Sequence, residues 1–400
     1  MKKVYYGKAV YDNKEINAVL KVLKNESLSL VDGQKVKLLE KTVSSIFGKK
    51  YGLMVNSGSS ANLLAIASFD FKKGSEIITP SLTFSTTVAP IYQLGLIPHF
   101  IGVEKNKFLA NVSHIEKCIN KKTVAIMIPN LLGNIAAWNK IHVIAKKYKL
   151  KIIEDSADTI GYTIGKKNSG KFSDIVTNSF YASHIINGAG TGGIVCFNDY
   201  NLYQRAKLLR GWGRSSAHFN ESENIKDRFN VKISGIDYDA KYIFSDLGYN
   251  FLPSEISAAF ALEQIKKLKE NIRIRNKNFD YLKKFFSKYI DLFNLPEQYE
   301  NVKTPWLAFP LVIKKNAYFK RRDMQIYFEK NNIQTRTIFT GNILRQPAMK
   351  NRKYKKHPDT DFIADDVMKN GILLGCHQGM KKSELDYICQ IFLNFLKSCK

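Results

Sequence analysis

Four short segments of this chain carry residues able to do acid–base or group-transfer chemistry on a small anionic ligand. Asn56-Ser57-Gly58-Ser59-Ser60-Ala61-Asn62 reads as a strand end, a glycine turn and a helix start. Backbone N–H groups at Gly58 and Ser59 would there face an anion such as a phosphate, although the same pattern also serves as a plain helix cap. Ile152-Ile153-Glu154-Asp155-Ser156-Ala157-Asp158 puts carboxylates at the end of an apolar run. A carboxylate buried in that way needs a cation, supplied either by a protonated ring nitrogen of a ligand or by an arginine. The loop Thr79-Pro80-Ser81-Leu82-Thr83-Phe84-Ser85-Thr86-Thr87 offers Phe84 as a cover for one face of a flat ring, or as a core residue. The fourth segment, Asn178-Ser179-Phe180-Tyr181-Ala182-Ser183-His184, is followed by Gly190-Thr191-Gly192-Gly193. It brings a hydroxyl and an imidazole that titrates near neutrality, suited to moving protons.

Such residues act together only if the fold gathers them. The first half alternates short apolar runs with amphipathic stretches, the pattern of a parallel sheet covered by helices. Strands are predicted at Tyr51–Val55, Ile77–Thr79, Thr123–Ile128 and Lys151–Glu154, with helices over Val36–Phe47, Ala61–Phe69 and Ile141–Tyr148. Ligands bind such sheets at the carboxyl ends of the strands, so Ser57-Gly58, Asp155 and the turn after Ser179 are expected to converge. After Pro253 the pattern predicts one long helical stretch over Glu255–Phe286, strands at Trp306–Ile313 and Gln334–Phe339, and helices over Lys320–Asn331 and Lys382–Leu396. The expected division is a large cofactor-binding domain, 1–265, and a smaller α+β domain, 266–400.

Composition removes several other classes. The 400 residues carry 62 Lys+Arg against 35 Asp+Glu, a net charge of +27. Fifty-one of those cations are lysines spread along the whole chain, whereas a nucleic-acid surface wants a concentrated, arginine-containing patch. No nucleic-acid partner is expected, and no apolar run is long enough for membrane insertion. Five scattered cysteines (118, 196, 376, 389 and 399) without a C-x-x-C pair argue against a disulfide framework or a structural metal, and for a cytoplasmic protein.

In combination the four segments resemble the nucleotide-sugar aminotransferases, pyridoxal-phosphate enzymes of the aspartate aminotransferase fold (fold type I, α/β). The resemblance spans almost the whole chain. It implies that Gly58, Ser59 and Ser179 hold the cofactor phosphate, that Phe84 stacks on the ring, and that Asp155 faces the ring nitrogen with Asp158 nearby. Asn250 matches an asparagine that reaches the phosphate of a neighbouring subunit, implying a homodimer; Arg336, Asn342 and Arg345 are the implied substrate contacts. Where relatives place the lysine that bonds the cofactor, this chain has His184, and no lysine lies between Lys171 and Lys207. That exchange is similar to a small 3-dehydratase subgroup, which uses pyridoxamine 5′-phosphate in place of lysine-bound pyridoxal 5′-phosphate. Asn130-Leu131-Leu132-Gly133-Asn134, Gly211-Trp212-Gly213-Arg214, Leu247-Gly248-Tyr249-Asn250 and 340–347 also resemble that subgroup.

The implied reaction removes the C-3 hydroxyl of a nucleotide-linked 4-keto-6-deoxyhexose for a surface polysaccharide, with His184 as the proton carrier. Two other readings stay open: a sugar aminotransferase using a lysine from elsewhere, and a non-catalytic member that binds nucleotide-sugar. One subgroup member holds an iron–sulfur cluster on cysteines after its Trp-Gly-Arg segment. Here Ser215-Ser216-Ala217-His218 follows, with no cysteine between Cys196 and Cys376. No cluster is therefore expected, and regeneration of the cofactor by glutamate is. Thr191 and Ile185 depart from the residues usual in the family and the subgroup.

Overall fold

The structure is a computed structural model and describes residues 3–25, 29–165, 167–219 and 224–399. Its centre is an eight-stranded sheet built from β1 (Tyr51–Val55), β2 (Glu76–Pro80), β3 (Ile97–Ile101), β4 (Thr123–Pro129), β5 (Lys151–Asp155), β6 (Ile175–Ser179), β7 (Gly193–Phe197) and β8 (Lys355–Lys356). Across the sheet the order is β1-β7-β6-β5-β4-β2-β3-β8. Only β7 runs against the others; it pairs antiparallel with both β1 and β6. Apart from the exposed edge strand β8, these strands are almost wholly buried because helices cover both faces, which is why they read as largely apolar runs without alternation.

Hydrophobic clusters lie on the two faces of the sheet. Met54, Ile78, Ile126, Ile128 and Ile152 point to one, while Leu53, Val55, Ile77, Met127 and Ile153 point to the other, as the period-two pleat requires. A third cluster centres on the antiparallel strands Phe293–Asn294, Ala308–Ile313 and Gly371–Gly375 and the helices Leu268–Phe286 and Lys382–Ser398. It also takes in Val4, Leu82, Phe108 and Leu131 from the first part of the chain. The later chain also donates β8, which extends the large sheet beside β3.

Two expectations about the later elements need correction. The helical stretch after Pro253 is two helices, Glu255–Lys266 and Leu268–Phe286, divided at Lys267. At the break Lys267 pairs with Glu15 of the first helix, Asn13–Leu23, and with its N-cap Asp12. The strand expected at 334–339 does not form a ladder. Arg336 makes one isolated bridge to Leu373, and Phe339 takes a left-handed backbone (φ 45°) that turns the chain away.

Candidate functional site

The carboxyl ends of β1, β5 and β6 bring the motif residues together. Beyond β1, Ser57 caps the helix Gly58–Ala67 by accepting the Ser60 N–H at 3.0 Å. Among the described residues the N–H groups of Gly58 and Ser59 stay free to meet an anion. Gly58 has no room for a side chain, since a Cβ there would lie 2.6 Å from Ser179 Cβ and 2.9 Å from its Oγ. The glycine thus lets β6 approach the helix start, setting the Ser179 hydroxyl against the open N–H groups. Ser59 is exposed on the same first turn.

Asp155 ends β5 and is only 4% exposed. Its Oδ2 accepts from Asn62 Nδ2 and Thr87 Oγ1, both at 2.8 Å, and its Oδ1 accepts from the Ala157 N–H at 3.1 Å. Burial holds its pKa above the ordinary carboxylate range despite these three donors. Among the described residues no cationic side chain pairs with it. Asp158, one turn on, accepts the Leu132 N–H at 2.8 Å. Leu132 adopts a left-handed backbone (φ 61°), strain that aims its N–H into the site. Burial, with the Asp155 charge as a smaller contribution, pushes the Asp158 carboxyl up to about 7.

After β6 the buried Phe180 anchors a tight turn in which the His184 N–H donates to the Tyr181 carbonyl at 3.0 Å. His184 Nδ1 lies 3.4 Å from the Ser179 carbonyl oxygen. A carbonyl only accepts, so Nδ1 carries the hydrogen and the neutral ring keeps its lone pair on Nε2. Burial foremost lowers the pKa of the ring to about 4; the Arg275 charge adds to that, and the Ser179 bond opposes it. His184 therefore rests as a free base at neutral pH. Arg275, 0% exposed on the helix Leu268–Phe286, donates to Gln378 and to the carbonyls of Trp306 and Leu307.

Phe84 precedes the helix Ser85–Gln93, is half exposed and meets Phe339 edge-on at 5.9 Å. Arg336 is exposed, with its guanidinium 5.7 Å from the Tyr6 ring. Asn342 and Arg345 are drawn into a different cluster. Asn342 is fully buried, donating to Asp361 and Asp365, and Arg345 forks onto Asp365. Asn250 is exposed, and its backbone carbonyl accepts from Asn56 Nδ2 at 3.5 Å. Sequence reasoning named Asn62, Thr87 and Leu132 within motifs but gave them no task. Tyr6 and Arg275 carried no local signal.

The sequence from 10 to 393 matches the model of the DegT/DnrJ/EryC1/StrS aminotransferase family. The chain belongs to that family. It is 33% identical over 377 residues to the lipopolysaccharide biosynthesis protein RfbH of Salmonella typhimurium, covering 92% of this chain and 86% of that one. A solved structure of the E. coli GDP-4-keto-6-deoxy-D-mannose-3-dehydratase with bound hydrated PLP superposes with a TM-score of 0.87 at 30% identity, covering 97% of this chain and 99% of that one. A crystal structure of GDP-4-keto-6-deoxymannose-3-dehydratase with a trapped PLP-glutamate geminal diamine matches with a TM-score of 0.85 at 30% identity, over 97% and 99% of the two chains.

The residues fit the family's cofactor. A buried carboxylate lacks only a cation, which a protonated pyridine nitrogen supplies. The helix start opposite Ser179 lacks only an anion, which a phosphate supplies.

Proposed function

We propose that this chain is a pyridoxamine 5′-phosphate-dependent 3-dehydratase acting on a nucleotide-linked 4-keto-6-deoxyhexose, a step in making deoxysugars for a surface polysaccharide. The observation that carries the reading is His184, a neutral imidazole anchored through Nδ1 where a lysine would otherwise stand. No lysine is among the charges that act on its ring. Without that amine the protein has nothing to hold the cofactor covalently, so the cofactor's own amine stays available to the sugar ketone.

When bound, the cofactor would supply the electron sink for loss of the C-3 hydroxyl from the 4-keto sugar. The protein's share is binding and proton traffic. Gly58, Ser59 and Ser179 hold the phosphate at the helix start, Asp155 keeps the ring nitrogen protonated, and Phe84 and Asp158 flank the ring. His184 Nε2 takes up one proton and returns one to the departing hydroxyl, which leaves as water. Its Nδ1–H bond to Ser179 fixes the tautomer that makes this possible. Arg336 is the substrate-side cation. Glutamate would be the amine donor.

The exposed side of Asn250 supports a homodimer in which each subunit completes its neighbour's phosphate site. Five cysteines, none in a disulfide, support a cytoplasmic location. The test is incubation with GDP-, CDP- and dTDP-linked 4-keto-6-deoxyhexoses, PLP and glutamate, followed by mass spectrometry. Loss of a single oxygen from the sugar is expected. An amino sugar would reveal an aminotransferase instead, and inertness towards every sugar with PLP bound would leave a binding protein.

A further inference from the structure

The N-terminal segment lays a phenol into the site that none of the motifs includes. Val4 donates its N–H to Asn332 and accepts the N–H of Gln334, both at 2.8 Å, and the Tyr6 N–H donates to Gln334 Oε1 at 3.1 Å. Residues 4–6 are thereby pinned beside Ile333, three residues before Arg336. Two glycines then let this strap press inward. A Cβ on Gly7 would lie 2.8 Å from Ser183 Cβ, next to His184, and one on Gly375 would lie 3.0 Å from the Tyr6 carbonyl oxygen. Gly7, next to Tyr6, thus packs on the His184 turn, and the Arg336 guanidinium lies 5.7 Å from the Tyr6 ring centroid.

The surroundings of Tyr6 differ from those of a core tyrosine. Tyr6 is only partly buried, and its hydroxyl, neither sealed from solvent nor paired among the described residues, is open to a ligand. Burial and the nearby Asp158 charge raise its pKa beyond that of free tyrosine, against the pull of Arg336 and Arg275. The phenol thus stays protonated across the working range and is available as a hydrogen-bond donor.

We propose that Tyr6 contacts the substrate, donating its O–H hydrogen bond to the hydroxyl that leaves carbon 3 of the sugar. The proposal rests on the 3-dehydratase reading. In the step the C–O bond breaks and its electron pair goes to the oxygen. The proton that completes water comes from His184, and Tyr6 keeps its own while steadying the charge that grows on that oxygen. The placement selects this hydroxyl because His184 must reach it, and the strap carrying Tyr6 packs on the residue beside His184.

Tyr6→Phe tests the idea, since it removes one oxygen and leaves the ring against Arg336. Wild type and variant are compared on whichever keto-sugar the wild type deoxygenates, with Tyr5→Phe as the control on the same strap. Loss of one hydrogen bond to a charge-bearing oxygen should lower kcat ~10–100-fold. KM, the glutamate half-reaction followed by absorbance, the calorimetric affinity for the deoxygenated product and the melting temperature should stay as in wild type. An unchanged kcat, or a raised KM with unchanged kcat, would overturn the proposal while leaving the dehydratase reading intact. If the wild type deoxygenates no sugar, the dehydratase reading fails first and takes this proposal with it.

Discussion

Replacing Asp155 with Asn should move stability and cofactor binding in opposite directions. In the protein without cofactor the carboxylate is desolvated and has no cation, a burden of several kcal/mol per buried ion after relaxation. Its three donors return part of that, and the raised pKa shows that burial still prevails. An asparagine oxygen can keep the bonds from Asn62 and Thr87, but its NH2 would face the Ala157 N–H, donor against donor, at a cost of about 1–3 kcal/mol. At pH 8 the cofactor-free variant should therefore equal wild type or exceed it by up to about 3 kcal/mol. The sign with pH follows from linkage. A carboxyl whose folded pKa is raised makes wild type lose stability as pH climbs from its unfolded value, about 3.9, through the folded one. The variant's advantage should thus shrink towards acid pH. PLP affinity should fall ~100-fold or more, since the ring nitrogen loses its counter-ion at about 3–5 kcal/mol. Thermal melts of cofactor-free protein from pH 4 to 8 and equilibrium dialysis of PLP measure both. A cofactor-free variant less stable by more than about 2 kcal/mol at pH 8, or undiminished PLP affinity, would refute the reasoning.

Gly58→Ala drives a Cβ into Ser179 and should cost about 1–3 kcal/mol of stability. It should also weaken PLP binding by at least about tenfold, while pyridoxal without its phosphate binds as before, because the damage is confined to the helix start. His184→Asn should lower deoxygenation at least ~100-fold, as removal of a general base does. In wild type the His184 limb of the pH–rate profile should fall as pH drops through about 4, the base being needed unprotonated, and a limb near 6.5 would show an imidazole in ordinary solvent. Arg345→Ala should change stability by less than ~1 kcal/mol, because its ion pair with Asp365 is largely exposed. Turnover should stay level, and a tenfold higher KM would establish Arg345 as a substrate contact.

Whatever depended on neighbours in sequence was legible before folding. The runs Tyr51–Val55, 123–129 and Lys151–Asp155 became strands because β-branched and apolar residues buried on both faces leave no alternative. Ser57 became a cap because its oxygen reaches the N–H three residues on. The stretch 334–339 has similar strand-forming residues and runs beside the strand Gly371–Gly375, yet the left-handed turn at Phe339 leads the chain away and only the bridge from Arg336 to Leu373 forms. The break at Lys267 was equally hidden, because nothing local marks it and its ion-pair partners, Asp12 and Glu15, lie some 250 residues away.

The sequence by itself determined the α/β class and the motif segments, because residue type and short-range spacing encode both; that a histidine stands in place of a lysine followed from the resemblance to the family. The tertiary structure decided what each group meets. Asn62 and Thr87 come to Asp155 across 93 and 68 residues, and the Leu132 N–H comes to Asp158. Asn342 and Arg345 are taken up by Asp361 and Asp365, while Gly7, close to the start of the chain, lies against Ser183 in the His184 turn. Protonation followed from the same source. An imidazole near 4 and a carboxyl near 7 are properties of burial and of the charges packed around them, which no linear pattern contains.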